Sequence, residues 1–377
     1  MEAGEQSSKS SRTHVRVIVG CGVAAVLLIG AVVVVVAHDR SNTASATGAA
    51  PPAALTILAV APTGTNVAAG STISVQFSTP LANGSPMPIL SPAIAGQWVA
   101  LSPTLLQYEA TGPLVPGATE TISIPGGPTG VVGDRGQHLS ATVTASFTVA
   151  QGSILRLQEL LAELGYLPLT FTPATPLTSP TQEGNDQEGT FSWRWPDQAL
   201  ALTTLWTQGV SNVVTQGAVM NFEEQHGLTT DGVAGPAVWA ALLADVQDGR
   251  GNAQPYDYVL VSKALLETAT VFSNGVPVFS TLVNTGVAGA PTESGTWPVF
   301  ERFTVTTMSG TNPDGTKYVD PGIPWVSYFH GGDALHGFIR SSYGFPQSDG
   351  CVEMPFASAQ TVYPLTPIGT LVTVLDN

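Results

Sequence analysis

The thiol of Cys351 and the imidazole of His336 are suited to acyl transfer if the fold brings them together. The other cysteine of the chain, Cys21, lies in an apolar segment near the N-terminus, so no disulfide between the two is expected. Gly350 precedes the thiol and lets the backbone approach a substrate carbonyl, while an imidazole nearby can take the thiol proton. A buried, inert cysteine is the alternative interpretation, and spacing alone does not separate the two.

Composition predicts an exported, β-rich chain. Its 377 residues are enough for two to three domains. Charged residues make up only 10% of the chain, while glycine and proline are plentiful. The net charge of -15 argues against a nucleic-acid partner, because nucleic-acid binding requires a basic face.

A membrane anchor is predicted at residues 15–37. The uninterrupted apolar run from Val17 to Ala37 is long enough to cross a hydrocarbon core of ~30 Å as a helix. Basic residues precede it, so residues 1–14 are expected in the cytoplasm and the bulk of the chain outside. We therefore expect a single-pass protein of the cell membrane whose C-terminal domain lies outside the cytoplasm.

Two processing signals compete with a retained anchor. Cleavage after Ala37 would make the segment a signal peptide, but the apolar run exceeds the usual h-region of about 7–15 residues. A lipobox-like sequence ends at Cys21, but it has almost no hydrophobic stretch before it. Residues 38–52, rich in Ala, Ser, Thr, Gly and Pro, are predicted to be a linker.

Residues 53–150 are predicted to form an Ig-like β-sandwich that acts as a spacer. Apolar and polar residues alternate over 72–77 and again over 142–149, which is typical of half-buried antiparallel strands. The segment contains no cluster of titratable residues, and His138 is expected at the surface.

The period changes to helical at Ser153, and residues 151–248 are predicted to form a small three-helix domain. Apolar residues at helical spacing from Ile154 to Leu164 precede a capping glycine, and Pro236 is placed to begin the third helix. A polar, Pro- and Gly-rich insertion is expected at about 168–212.

This segment resembles the peptidoglycan-binding domain. The similarity rests on Leu157-Gln158 through Leu167, and on Ala218-Val219 and Phe222 through an Asp-Gly turn, Gly235-Pro236 and Trp239. It implies glycan as a partner. The insertion departs from the compact family form, and a helical spacer with the same core is the alternative.

Residues 255–377 are predicted to be a second β-domain. Asn274-Gly275 lies between two apolar strands and is the strongest hairpin signal in the chain. The last strand is predicted from Gly369 to Val374.

This C-terminal segment resembles the catalytic domain of L,D-transpeptidases, β-sandwich enzymes that cross-link peptidoglycan. The similarity is carried by several short motifs in combination. They are Asn284-Thr285-Gly286, Pro291-Thr292 with Gly295, His336-Gly337, Ser348 with Gly350-Cys351-Val352, and the closing Gly-Thr strand. Together they imply a multidomain, mainly β protein that ends in a transpeptidase sandwich.

The resemblance assigns roles to individual residues. Cys351 would be the nucleophile and His336 its general base, oriented by Gly337. Backbone N–H groups around Gly350 would stabilise an oxyanion, and Ser348 would support the site by hydrogen bonding.

Four further residues are expected to contact substrate. Tyr318 is matched to a flap over the donor groove, and His330 is expected in a loop or in the substrate groove. Asp349 replaces a common histidine, and Glu353 replaces Asn or Arg. These two acids would tune the site for a different stem, a different acceptor or a lower pH, or they are tolerated surface variation.

The implied reaction begins when the thiolate attacks the carbonyl of the third residue of a donor tetrapeptide stem and expels D-alanine. The side-chain amine of an acceptor stem then resolves the thioester into a 3→3 cross-link, without metal or organic cofactor. Water as acceptor would make the protein an L,D-carboxypeptidase. A non-catalytic peptidoglycan-binding anchor is the alternative from another class.

Three rival enzyme classes fit the sequence less well. Sortases need an arginine after the cysteine, and no Lys or Arg follows Arg340. Papain-like peptidases place the cysteine before the histidine. A zinc site from His330, Asp333, His336 and Cys351 would have no recognised metal-binding spacing.

Overall fold

The computed structural model describes residues 53–196 and 200–376. The predicted cytoplasmic tail (1–14), anchor (15–37) and linker (38–52) lie outside the described residues. Within the described ranges, no helix combines the length and the apolar character needed to cross a membrane.

The N-terminal strands form two four-stranded sheets, in the orders β1-β3-β6-β5 and β2-β8-β7-β4. Side chains of both sheets, among them Phe77 and Phe147, share one buried core. The predicted alternation is observed in β3 and β8. The strands are β1 (Ile57–Ala61), β2 (Gly64–Val67), β3 (Ile73–Phe77), β4 (Ile89–Ser91), β5 (Gly96–Ser102), β6 (Leu105–Ala110), β7 (Thr119–Ile124) and β8 (Val143–Val149).

The middle of the chain is helical, and its three principal helices lie where periodicity predicted them. Ser153 and Asn212 cap α1 and α3 with their side chains, and Pro236 begins α4. The insertion contains a two-stranded hairpin that the sequence did not predict. The elements are α1 (Ile154–Glu163), β9 (Leu169–Pro173), a 3₁₀ turn (Pro180–Gln182), β10 (Gly189–Trp193), α2 (Leu200–Thr203), α3 (Val213–Gln225) and α4 (Pro236–Asp248).

A buried ion-pair network attaches the insertion to α1. The guanidinium of Arg156 contacts the carboxylates of Glu159 and Glu183, each at 2.9 Å. The backbone N–H of Gln187 donates to Glu159. Buried charges of this kind are tolerated because each one is paired.

The C-terminal strands form a second two-sheet sandwich, with orders β13-β12-β11-β19-β14 and β15-β16-β17-β18. Asn274 and Gly275 both have positive φ and make the predicted turn between β12 and β13. The elements are β11 (Asp257–Ser262), β12 (Thr268–Ser273), β13 (Val276–Leu282), β14 (Gly295–Pro298), β15 (Glu301–Thr311), β16 (Lys317–His330), β17 (Asp333–Gly337), β18 (Val352–Met354), α5 (Phe356–Val362), a 3₁₀ turn (Tyr363–Leu365) and β19 (Leu371–Leu375).

Helix α3 lies directly against this second sandwich. Asn221 donates to the carbonyl of Ile368 at 3.1 Å, and the N–H of Ile368 donates to Glu224 at 2.9 Å. A Cβ on Gly217 would come within 2.6 Å of the carbonyl oxygen of Gly369, so the two backbones meet closely. The helical segment and the C-terminal sandwich therefore share a packed interface.

Candidate active site

The parallel pairing of β17 with β18 places His336 and Cys351 on one face of their sheet. Leu335 is paired with Val352, and both contribute to the sandwich core. Ala334 and Cys351 pack in a separate cluster on the other face. His336 is two positions from Ala334 along the strand, so it lies on the same face as Cys351.

His336 is held as a neutral base. It is 3% exposed, and its Nδ1 lies 3.1 Å from the carbonyl oxygen of Gly337. A carbonyl can only accept, so Nδ1 carries the proton and Nε2 keeps its lone pair. Burial lowers the pKa of His336 and outweighs the hydrogen bond to Gly337 and the charge of Glu353, which act in the opposite direction. The imidazole is therefore unprotonated near pH 7 and free to accept a proton.

Cys351 rests as a thiol. Its Sγ donates to the carbonyl of Gly332 at 3.6 Å, and the backbone N–H of Ala334 is directed at the sulfur. Burial raises its pKa to about 12, and the charges of Asp333, Glu353 and Asp349 add to the rise. A thiol of this kind needs a base at the moment of attack, because almost no thiolate is present beforehand.

The turn before Cys351 is fixed by two hydroxyl groups. Ser348 donates to the carbonyl of Cys351 at 2.5 Å. Thr292 donates to the carbonyl of Gly350 at 2.7 Å and accepts from the N–H of Gly286 at 2.8 Å. Thr292 belongs to a motif that the sequence analysis recognised, but its role in holding this turn depends on the packing of loops that are distant in sequence.

Gly350 cannot carry a side chain here. Its φ is +114°, and a Cβ would lie 2.5 Å from Oδ1 of Asp333. The glycine thus allows the turn before Cys351 to approach β17 closely.

Glu353, two residues after Cys351, forms an ion pair with Arg340. Both carboxylate oxygens accept from the guanidinium at 2.7 Å. Arg340 also donates to the carbonyl of Gln347 and stacks over Phe338. The pair attaches the 340–347 loop to β18. The expected contact of Glu353 with substrate stays a prediction.

The long β15–β16 hairpin brings aromatic side chains towards the sulfur. The ring of Tyr318 lies over Gly310, where a Cβ would meet its hydroxyl at 2.6 Å. Burial, followed by the charges of Cys351 and Asp349, raises the pKa of Tyr318. Tyr328 packs in the same cluster as Cys351, and sequence reasoning did not single it out.

Asp349 lies in the turn before Cys351 and is exposed. His330 lies at the end of β16. The ring of His330 stacks on Trp297, with centroids 4.4 Å apart. Its Nδ1 is 3.6 Å from Oδ2 of Asp333. Across the described ranges, no group of three or more His, Cys, Asp or Glu side chains is arranged to hold a metal ion.

Comparison with family models identifies two domains. Residues 256–374 match the L,D-transpeptidase catalytic domain, YkuD, and residues 204–242 match a peptidoglycan-binding domain. The chain therefore carries a catalytic domain of the L,D-transpeptidase type, which contains His336 and Cys351. The search of curated proteins gave no significant match.

Similar solved structures include L,D-transpeptidases from mycobacteria and an enterococcus. The Mycobacterium smegmatis enzyme is 12% identical, with 85% of this chain and 99% of that chain covered and a TM-score of 0.29. L,D-transpeptidase 3 from Mycobacterium tuberculosis, with a faropenem-derived adduct, is 13% identical over 85% and 98%, with a TM-score of 0.30. The catalytic domain from Enterococcus faecium is 23% identical over 33% of this chain and 100% of that chain, with a TM-score of 0.30.

Proposed function

We propose that this protein is a cell-wall L,D-transpeptidase that forms 3→3 cross-links through a thioester on Cys351. One observation carries the proposal. In a domain matched to this enzyme class, His336 carries its proton on Nδ1 and keeps the lone pair of Nε2. Its side chain lies on the same sheet face as Cys351. Nε2 takes the thiol proton as the sulfur attacks the donor carbonyl.

Acylation then proceeds by general acid–base catalysis. The new C–S bond forms, the imidazolium of His336 gives its proton to the leaving amine, and D-alanine departs. The backbone of Gly350 and Cys351 stabilises the oxyanion, while Ser348 and Thr292 hold the turn through its carbonyls. Tyr318, on the hairpin above, contacts the donor stem.

Membrane attachment is part of the same proposal. Residues 15–37 anchor the chain with its N-terminus inside, the first sandwich provides distance, and the helical segment holds glycan near the catalytic domain. A reporter enzyme active only outside the cytoplasm, fused after Asn377, would test this orientation. An active fusion is expected, and an inactive one with normal protein levels contradicts it.

The reaction is tested with purified full-length protein and a donor tetrapeptide stem, alone and with an acceptor stem. Mass spectrometry should find loss of D-alanine and a cross-linked product that bears the donor acyl group. Release of tripeptide alone, even with excess acceptor, would make the protein an L,D-carboxypeptidase. An unchanged donor would favour the non-catalytic anchor.

A further inference from the structure

A second imidazole–carboxylate pair lies beside Cys351, and the acylation step does not use it. His330 ends β16 and Asp333 begins β17, with Nδ1 and Oδ2 3.6 Å apart. Both side chains are held in place from outside the pair. The ring of His330 stacks on Trp297, and Asp333 accepts the N–H of Glu293 at 3.2 Å.

Three observations place Asp333 next to the reacting sulfur. The residues on either side of it in sequence, Gly332 and Ala334, supply the carbonyl and the N–H that contact Sγ. A Cβ on Gly350 would lie 2.5 Å from Oδ1 of Asp333. The negative charge of Asp333 also raises the pKa of Cys351.

The two imidazoles near Cys351 differ in their access to solvent. His336 is 3% exposed, whereas the side chains of His330 and Asp333 are 40% and 16% exposed. A molecule that approaches the half-buried sulfur from solvent therefore meets the more exposed His330 and Asp333 before it reaches His336. The pair is therefore placed to meet an incoming second substrate.

We propose that His330 and Asp333 form the binding site for the side-chain ammonium of the acceptor stem. This proposal rests on the transpeptidase function proposed above. A carboxylate that is largely buried attracts a cation more strongly than one in bulk water, and an ammonium supplies the donors that Asp333 can accept. An ammonium nitrogen has no lone pair, so it must lose a proton before it attacks. Imidazole is the side chain suited to take that proton near neutral pH.

Deacylation of Cys351 by the acceptor uses both imidazoles. The ammonium gives one proton to His330, and the resulting amine attacks the thioester carbonyl carbon to form the C–N bond. The second proton passes from nitrogen to His336 as the C–S bond breaks. His336 returns that proton to the departing thiolate of Cys351, and His330 releases its proton to solvent. Thioester and ammonium thus become amide, thiol and one proton.

The test separates deacylation by amine from acylation. Full-length wild type, Asp333→Asn and His330→Ala are given a donor tetrapeptide and increasing acceptor stem, and cross-linked and hydrolysed products are quantified by mass spectrometry. Asp333→Asn should raise the acceptor KM about tenfold or more, because a charged hydrogen bond is lost. His330→Ala should lower the turnover to cross-linked product by about a hundredfold. Carbapenem acylation of Cys351 should be no slower in either variant, which also shows that they are folded.

A control variant separates the proposal from simpler effects. His138→Ala removes an exposed imidazole from the first sandwich and should leave the product ratio unchanged. An unchanged acceptor KM in Asp333→Asn, with wild type cross-linking normally, overturns the acceptor site alone. Absence of cross-linked product from wild type overturns the transpeptidase proposal, and the acceptor site with it.

Discussion

The two β-sandwiches of this chain share an architecture and differ in what they bury. Each closes two sheets over an apolar core. Among described residues up to 150, the buried polar side chains are Ser85 and Glu120. The C-terminal sandwich has a larger set. It comprises Glu267, Asn284, Thr285, Thr292, Ser327, His336, Ser348, Glu353, Thr366, Thr370 and Thr373.

Burying polar groups is unfavourable unless they are paired, and those around Cys351 are paired with one another and with the backbone. Glu267 accepts both the N–H and the hydroxyl of Thr285 at 2.7 Å, and Thr292 connects two loops. The second sandwich thus differs from the first in a network of buried polar contacts, which surrounds the thiol of Cys351 and the imidazole of His336.

Removing the imidazole should produce the largest change. We expect His336→Ala to slow acylation of Cys351 by about 10²–10⁴-fold, because the resting thiol then has no base. His336→Gln keeps most of the side-chain volume but cannot take the proton, so it should be similarly slow. Stopped-flow measurement of carbapenem acylation checks both, with thermal unfolding as the folding control. A rate within about threefold of wild type, in folded protein, would contradict the assigned base.

The pH dependence of acylation should follow His336. Because burial lowers the pKa of His336, the rate should rise with pH through a midpoint below 6.5 and then stay level through neutral pH. The raised pKa of Cys351 means that thiolate formation does not set this midpoint. A rate that instead climbs steadily from pH 7 to pH 10 would show that the thiolate, not the imidazole, limits the reaction.

Neutralising Glu353 should lower the stability of the second sandwich. Glu353→Gln leaves the half-buried guanidinium of Arg340 without its charged partner, and we expect unfolding free energy to fall by about 1–3 kcal/mol. Acylation should also slow, because Arg340 holds the loop that leads to Ser348. Chemical denaturation measures the first effect. Unchanged stability and acylation would assign Glu353 to tolerated variation.

Removing a buried carboxylate from the first sandwich should increase stability, in contrast to the loss expected for Glu353. Oε2 of Glu120 is buried and has no hydrogen-bond partner, and burial raises the pKa of this carboxyl. Glu120→Leu should therefore increase the stability of the first sandwich by about 1 kcal/mol at pH 8. The gain should shrink towards pH 4, since the folded wild type is destabilised as pH rises through the raised pKa. Acylation of Cys351 should not change. A loss of stability at pH 8 would show that the carboxylate is paired in solution.

Much of the fold follows from local sequence signals. Gly235-Pro236 located the start of α4, Asn274-Gly275 located a hairpin, and alternation located β3 and β8. These signals act over a few residues, so one sequence is enough to detect them.

The site was less accessible to sequence reasoning. Motifs indicated Cys351 and His336, but the contacts of Asp333 with Gly350 and of Arg340 with Glu353 depend on the register of β17 with β18. Register between strands distant in sequence leaves no local pattern. The β9–β10 hairpin was missed for a related reason, since its strands are separated by a polar, irregular segment.

The most direct test of the central claim is the intact mass of the protein after exposure to a carbapenem. We predict that wild type gains the mass of one acyl group, that peptide mapping places it on Cys351, and that Cys351→Ala gains none. Folded wild type that gains no mass, or an equal gain in Cys351→Ala, would contradict the assignment of Cys351 as the nucleophile.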